Sequence, residues 1–168
     1  MGAIERTKAA FAAIEEVVRR GRYTRTAERR IEPLVFGVLQ ARWGALRREV
    51  RAEDPGRDRP RIDFRFGSTN PIVIELAVRP RAGGQQLEAS QNGPELRKLS
   101  HVPQSQARLR SLVLLDLGEA PLSIGRLRED YTAKVRTTDG MGRNPIQVIY
   151  VHRHEQRSFG INRRSSAV

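Results

Sequence analysis

Two short stretches decide the fold of this chain, Arg61-Ile-Asp-Phe-Arg-Phe66 and Pro71-Ile-Val-Ile-Glu-Leu-Ala-Val-Arg79. Apolar residues recur in both at the period of two that is typical of a β-strand. Between them lies Gly67-Ser-Thr-Asn70, which has the composition of a turn. The two stretches therefore predict a β-hairpin.

The register of this hairpin sorts its side chains onto two faces. A loop of residues 67–71 places Phe66 opposite Ile72, and the same register places Asp63 opposite Glu75. One face is then wholly apolar and is expected to pack against a core; it consists of Ile62, Phe64, Phe66, Ile72, Ile74, Leu76 and Val78. The other face carries the two carboxylates together with Arg61, Arg65, Val73, Ala77 and Arg79.

The two facing carboxylates require a physical explanation. Directly opposed residues have Cβ atoms about 4.5–5.5 Å apart, and like charges at that distance destabilise a sheet. A divalent cation is one explanation, because Mg²⁺ is commonly held by one or two carboxylates while water and phosphate complete its coordination. The other is that Arg61, Arg65 and Arg79 neutralise Asp63 and Glu75 on a solvated face. The hairpin alone leaves both open.

The composition narrows the chemistry and the partners. The net charge is +12, from 31 basic and 19 acidic residues, and the pI is near 11.4, which is typical of a protein that binds a polyanion. Nucleic acid is the expected partner, and an RNA-associated role stays open on charge alone. Cysteine is absent, so disulfides, thiolate catalysis and zinc–thiolate sites are excluded. Any metal ligand must be a carboxylate, an imidazole or a backbone carbonyl.

The chain is long enough, at 168 residues, for one domain with its own core. Its first residues form an amphipathic segment without the apolar core of a secretory signal, and no stretch approaches the about 20 apolar residues of a membrane span. We therefore expect a cytoplasmic protein that does not associate with a membrane. The expected domain covers residues 1–154, and residues 155–168 are expected to form a flexible basic tail.

Periodicity predicts an α/β fold, with a mixed central sheet flanked by helices. Residues 1–50 are expected to form N-terminal helices and residues 61–152 the sheet core. The predicted helices span 3–20, 26–50, 94–102 and 121–135, with a short helical continuation of the third to Arg110. Asn92 is the expected cap of the third helix, and Glu95 takes the capping-box position. Further strands are predicted at 112–117 and 145–152.

An Asp on one hairpin strand, a Glu on the next, and a following helix and buried strand together resemble the PD-(D/E)xK nuclease superfamily. The resemblance covers roughly residues 26–118 and extends toward 152. It implies the restriction-endonuclease-like αβββαβ core, here with an N-terminal helical extension. It also implies an endonuclease that uses Mg²⁺ or Mn²⁺ to hydrolyse DNA. Because cutting a duplex requires two active sites, a homodimer or a larger nuclease complex is expected.

The resemblance also implies roles for individual residues. In the family the Asp and the Glu bind the metal together with the carbonyl of the residue after the Glu, which here are Asp63, Glu75 and Leu76. Ala77 stands where the family has its lysine. Two residues could supply the missing cation: Lys98 in the following helix, or Arg79, whose guanidinium stays charged and could only stabilise phosphate. A solvated helix position is the alternative interpretation of Lys98.

Several other residues are weaker candidates. Glu32 could add a third carboxylate, and Gln91 and Asn92 could point into the same cleft. His152 and His154 fall on one strand face and could bind metal, although a surface feature is the favoured interpretation. Asp116, inside an apolar strand, is expected to accept hydrogen bonds from backbone or arginine. The predicted nucleic-acid-binding arginines are Arg61, Arg65, Arg79, Arg81 and Arg97.

Three functions follow from these observations. The first is a Mg²⁺-dependent nuclease acting on DNA. The second is a catalytically inactive nucleic-acid-binding module of the same fold, which is consistent with Ala77. The third is a basic RNA-associated or assembly protein without a metal, in which the acid pair belongs to a salt-bridged surface.

Overall fold

A computed structural model describes residues 2–21, 28–43, 46–51, 61–66, 71–81 and 87–163. These residues form four helices and six strands. In chain order they are α1 (Ala3–Arg20), α2 (Glu28–Trp43), β1 (Leu46–Arg51), β2 (Arg61–Phe66), β3 (Ile72–Arg79), α3 (Gly93–His101), β4 (Leu109–Asp116), α4 (Ile124–Thr137), β5 (Ile146–His152) and β6 (Glu155–Ile161).

All six strands belong to one sheet, in which their order is the same as their order along the chain. The first three strands are antiparallel to one another, β3, β4 and β5 are parallel, and β6 returns antiparallel to β5. Helices α3 and α4 are the crossover connections that parallel strands require. The fold is therefore α/β, with a mixed open sheet flanked by helices, and this coarse prediction is confirmed.

The hairpin of β2 and β3 has the predicted register. Phe66 pairs with Ile72, and the pairs continue to Phe64↔Ile74, where the ladder between these strands ends. Most of the predicted apolar face is also observed, since Phe64, Ile72, Ile74, Leu76 and Val78 pack in one cluster. Ile62 is a correction, because it packs in the cluster on the opposite face of the sheet. It lies beyond the last pair, where β2 no longer follows the pleat of β3.

The sheet has a helical layer on each face. Helices α1 and α2 cover one face through Phe11, Ile14, Ile31 and Val35, which pack on Phe64 and other residues of that side. Helices α3 and α4 cover the other face, and their buried contacts are Leu96, Leu99, Leu127, Tyr131 and Val135. Strand β4 is buried on both faces, which explains its continuous apolar sequence.

Two predicted boundaries are wrong at the edges of the sheet. The helix predicted for 26–50 ends at Trp43, and Leu46–Arg51 forms β1, paired with β2. The tail predicted from residue 155 begins as β6, in which Phe159 and Ile161 are buried. In both places the pairing with a neighbouring strand outweighs the polar local sequence. Residues 164–168 lie outside the described residues.

A third boundary differs between α3 and β4. The helical continuation to Arg110 is wrong, because β4 already begins at Leu109 and pairs with Ile72 of β3. None of the described helices has the length and apolar character needed to cross a membrane.

Candidate metal centre

Asp63 is fixed to the strand that carries Glu75. The backbone N–H of Leu76 donates a hydrogen bond to Asp63 Oδ2 at 2.9 Å. Leu76 directly follows Glu75, so this bond holds the carboxylate of Asp63 beside that of Glu75. Because the Leu76 N–H donates to this side chain, it does not donate to the backbone of β2. The ladder of β2 and β3 accordingly ends after Phe64↔Ile74.

Lys98 reaches this carboxylate pair from helix α3. Its Nζ donates to Glu75 Oε2 at 2.7 Å. Only 19% of the Lys98 side chain and 1% of the Glu75 side chain are exposed, so the ion pair is largely enclosed. The interpretation of Lys98 as a solvated helix position is therefore wrong. Ala77, by contrast, packs in the apolar cluster beneath α3 and α4.

Burial and like charge oppose ionisation of the two acids. Burial raises the pKa of Glu75 well above its usual value, and the nearby Asp63 raises it further against the effect of Lys98. Burial also raises the pKa of Asp63, more than the Leu76 N–H, the Lys98 charge and a side-chain hydrogen bond with Glu75 lower it. Both acids are therefore harder to ionise in the enclosed site than in water, and a bound divalent cation would favour their charged forms.

The same charges determine the state of Lys98. Burial lowers the pKa of Lys98, but the carboxylates of Glu75, Asp63 and Glu95 outweigh it, and the net pKa lies above the usual value. Lys98 is therefore an ammonium at neutral pH. It can donate hydrogen bonds and stabilise negative charge, but it is not available as a proton acceptor.

The donor atoms of the site suit a hard cation. Within the described part of the chain, Glu75 Oε1 is buried and has no hydrogen-bond partner. Such an atom is costly unless a ligand completes it, and carboxylate oxygens are ligands that Mg²⁺ and Mn²⁺ prefer. No group of three or more Asp, Glu or His side chains in the described ranges is arranged to hold an ion. An ion would therefore depend on Asp63 and Glu75, with the Leu76 carbonyl, water and phosphate completing its coordination.

Glu95 also belongs to this neighbourhood, although the sequence suggested only a capping role for it. It lies on α3 three residues before Lys98, a spacing that places both side chains on one side of a helix. Its charge raises the pKa of both Asp63 and Glu75. The spacing to Lys98 was the signal that could have identified it. Asn92 does not cap α3 through its side chain, which donates instead to Glu88 O and Tyr131 OH.

Arg79 is placed in a different cluster, at the ends of β3 and β4. Its Nε and Nη2 donate to the two oxygens of Asp116 at 2.5 and 2.7 Å, and Nη2 also donates to Ala120 O. Asp116 accepts further bonds from Gly118 N and the Tyr150 hydroxyl. The expectation that Asp116 accepts backbone and arginine hydrogen bonds is thus confirmed. Arg79 fixes the segment after β4 and is engaged away from Glu75.

The remaining candidates are dispersed. Glu32 lies on α2, whose buried residues pack on the opposite face of the sheet. Arg81 forms an exposed ion pair with Glu119, and Arg97 lies against Gly140. Arg65 is half-buried on β2, whereas the side chain of Arg61 lies outside the described part. Gln91 is exposed, and its backbone N–H donates to Glu88 O.

His152 is buried in the structure and contacts polar groups through both ring nitrogens. Nε2 lies 3.1 Å from Gly118 O, and Nδ1 accepts from the backbone N–H of His154 at 3.2 Å. These contacts require a neutral ring with its proton on Nε2. The ring therefore has a structural role beside Gly118, while His154 is exposed.

Comparison with known proteins gave no match: no family model fits the sequence, and no curated protein or solved structure is significantly similar to it.

Proposed function

We propose that this protein is a Mg²⁺-dependent nuclease that hydrolyses phosphodiester bonds of DNA, with a site of the PD-(D/E)xK type. The main support is the contact between Lys98 Nζ and Glu75 Oε2, which brings a lysine to the acid pair although Ala77 occupies the usual position. An acid pair neutralised only by surface arginines would not require a lysine enclosed between a helix and the sheet. A site of this type needs two acids and a nearby cation, and Asp63, Glu75 and Lys98 are the residues that we propose for these roles.

The order of the elements also supports this proposal. From α2 to β4 the chain runs helix, three antiparallel strands, helix and parallel strand. This order resembles the αβββαβ core expected of the restriction-endonuclease-like fold. Asp63 lies on the second of these strands and Glu75 on the third. A shared order of elements alone would not establish a function, so the proposal depends mainly on the site.

In this proposal Asp63, Glu75 and the Leu76 carbonyl hold the divalent ion. When bound, such an ion lowers the pKa of a coordinated water and neutralises charge on the phosphate. Lys98 stays charged and donates a hydrogen bond to the attacking water or to a phosphate oxygen. Its positive charge stabilises the negative charge that builds up as water oxygen bonds to phosphorus and the opposite P–O bond breaks. The leaving oxygen takes a proton from solvent, which also receives the proton released by the attacking water.

The charge of the chain is consistent with a nucleic-acid substrate. A net charge of +12 would give much of the affinity through displacement of counterions from phosphates, independently of sequence. Arg65 lies two residues from Asp63 on the same strand and is half-buried. It is therefore a candidate to contact the phosphates that flank the cleaved one. Cleavage of both strands would require a second copy of the chain.

A cleavage assay tests the proposal. Plasmid and linear DNA are incubated with the protein in EDTA, Mg²⁺ or Mn²⁺, and the variants Asp63→Asn, Glu75→Gln and Lys98→Met are compared with wild type. Lys8→Met is the matched control, since Lys8 lies on α1 and pairs with Glu5. We expect metal-dependent cleavage that all three site variants lose and the control retains. Equal cleavage by wild type and Glu75→Gln would refute the proposed site.

A catalytically inactive nucleic-acid-binding module is the second candidate, and Ala77 in place of the motif lysine favours it. The same assay separates the two candidates when binding is measured beside it. A wild-type protein that binds DNA but cleaves it with neither metal would support the module and contradict the nuclease.

A further inference from the structure

Neither a capping hydrogen bond nor a surface position explains the place of Glu95 in this site. Its Oε2 is buried and, among the described residues, has no hydrogen-bond partner. A carboxylate oxygen enclosed in this way is destabilising unless something completes its hydrogen bonding. A bound ligand is one way to complete it.

Glu95 Oε2 shares this property with Glu75 Oε1, which is also buried without a partner. Glu75 is the more informative of the two, because only 1% of its side chain is exposed and Asp63 lies beside it. The two unpaired oxygens come from β3 and from α3, the elements that meet through the Lys98–Glu75 contact. Glu75 and Glu95 therefore lie on two elements that are in direct contact.

Glu95 does not act as a direct ligand together with Asp63 and Glu75. Across the described residues there is no group of three acidic or imidazole side chains close enough to hold one ion. Its charge nevertheless acts on Asp63, Glu75 and Lys98. It is thus too far away to share an ion directly but close enough to be coupled to every member of the site.

We propose that Glu95 is a third acidic residue of the metal centre, which binds a water molecule of the ion held by Asp63 and Glu75. This inference rests on the proposed metal site. Mg²⁺ and Mn²⁺ retain several waters in such sites, and a carboxylate that accepts hydrogen bonds from them orients the water and increases metal affinity. Glu95 is accordingly a positioning residue rather than a metal ligand. Its spacing to Lys98 on α3 directs both side chains toward the same water.

Metal binding in the absence of DNA tests this role. Titration calorimetry with Mn²⁺ is carried out on the wild-type chain and on Glu95→Gln, Glu95→Asp, Asp63→Asn and Glu129→Gln. The Glu129→Gln variant is the matched control, because Glu129 is exposed on α4 and the change in net charge is the same. We expect Glu95→Gln to weaken Mn²⁺ binding about tenfold with unchanged stoichiometry. Glu95→Asp should weaken Mn²⁺ binding less, and the control Glu129→Gln should leave it unchanged.

Thermal unfolding in EDTA separates this role from a structural one. Removal of one buried, unpaired charge should leave the metal-free Glu95→Gln protein as stable as wild type or more stable, whereas Mn²⁺ should stabilise it less. Mn²⁺ affinity of Glu95→Gln within twofold of wild type, with Asp63→Asn clearly weaker, would overturn the role of Glu95 and leave the metal site intact. Unchanged binding in Asp63→Asn as well, or no binding by wild type, would overturn the metal site and the role of Glu95 with it.

Discussion

Lys98 Nζ donates to Glu75 Oε2 at 2.7 Å across 23 positions of sequence, from helix α3 to the central strand β3. Glu75 is almost completely enclosed, so the ammonium is the charge that offsets it within the protein. The cation beside the acid pair therefore comes from helix α3 and not from strand β3. The stability of the metal-free protein should therefore depend on Lys98.

Replacing Lys98 by Met should destabilise the metal-free protein. The variant leaves Glu75 buried without its partner, and breaking such a pair costs about 2–4 kcal/mol, here reduced by the partial exposure of Lys98. The double variant Lys98→Met/Glu75→Gln should recover part of this loss because the buried charge is removed as well. Urea unfolding in EDTA measures both free energies of unfolding. A Lys98→Met protein as stable as wild type would show that the pair contributes nothing.

A lysine introduced at the motif position in β3 should not restore cleavage. Ala77 is 3% exposed and packs in the apolar cluster under α3 and α4, so Ala77→Lys inserts a long charged side chain into filled space. We expect a loss of about 2–4 kcal/mol in the free energy of unfolding and no recovery of cleavage in the Lys98→Met background. Ala133→Lys, at an exposed position of α4, is the control and should be neutral. Recovery of cleavage by Ala77→Lys would contradict the assignment of Lys98.

The sequence predicted the hairpin well because its signals are local. Alternation and a turn composition predict the register of Phe66↔Ile72, which the pairs up to Phe64↔Ile74 confirm. Asp63 and Glu75 lie beyond these pairs and are brought together through the bond of Asp63 to Leu76 N–H. Strands β1 and β6 were missed because their residues are mostly polar, and they are held by pairing with β2 and β5 rather than by their own propensity. Local pattern carries little information about such pairing.

For a similar reason, some residues of the site could be predicted from the sequence and others could not. Lys98 could be proposed because its helix follows the hairpin directly. Arg79 was assigned to the same face by alternation, but its bidentate contact with Asp116 depends on the parallel pairing of β3 with β4. Glu95 was interpreted as a capping residue, since the enclosure of its Oε2 by neighbouring elements is invisible in the sequence.

The metal-free protein should become less stable as pH rises above the ordinary range of glutamate. The pKa of Glu75 is raised in the folded state, so between its usual value and the raised value the folded protein binds more protons than the unfolded chain. Stability is therefore highest below the usual pKa and falls as pH rises through the raised one. The raised pKa of Asp63 lowers stability with rising pH in the same way. Glu75→Gln should flatten this dependence in EDTA, which unfolding midpoints between pH 4 and pH 8 would show.

Added Mg²⁺ should have the opposite effect on this dependence. The ion binds the deprotonated carboxylates, so its stabilisation should grow with pH and be absent in Glu75→Gln. An identical pH profile of wild type and Glu75→Gln in EDTA would contradict the link between Glu75 and the pH dependence.

We expect Arg79 to stabilise the fold rather than to take part in cleavage. Asp116 is completely buried, and Arg79→Met would leave its carboxylate without the bidentate partner, at a cost of about 3–5 kcal/mol. Arg79→Lys retains the charge but loses the planar pair of donors, so it should also be clearly destabilised. Circular dichroism melts of both variants, with Arg81→Lys as an exposed control, measure this. An Arg79→Lys protein with wild-type stability and no cleavage would instead indicate a phosphate contact.

Strand β6 should be part of the folding unit. Phe159 is buried, pairs in register with Val148 of β5, and packs in the cluster that α3 and α4 cover. Phe159→Ala should therefore lower the free energy of unfolding by about 3–4 kcal/mol. Arg157→Ala on the same strand is the control and should change it by less than about 0.5 kcal/mol, since its side chain is mostly exposed. Equal unfolding midpoints for the two variants would restore the view of residues 155–161 as a tail. If the expected difference is observed, cleavage assays need a chain that retains β6.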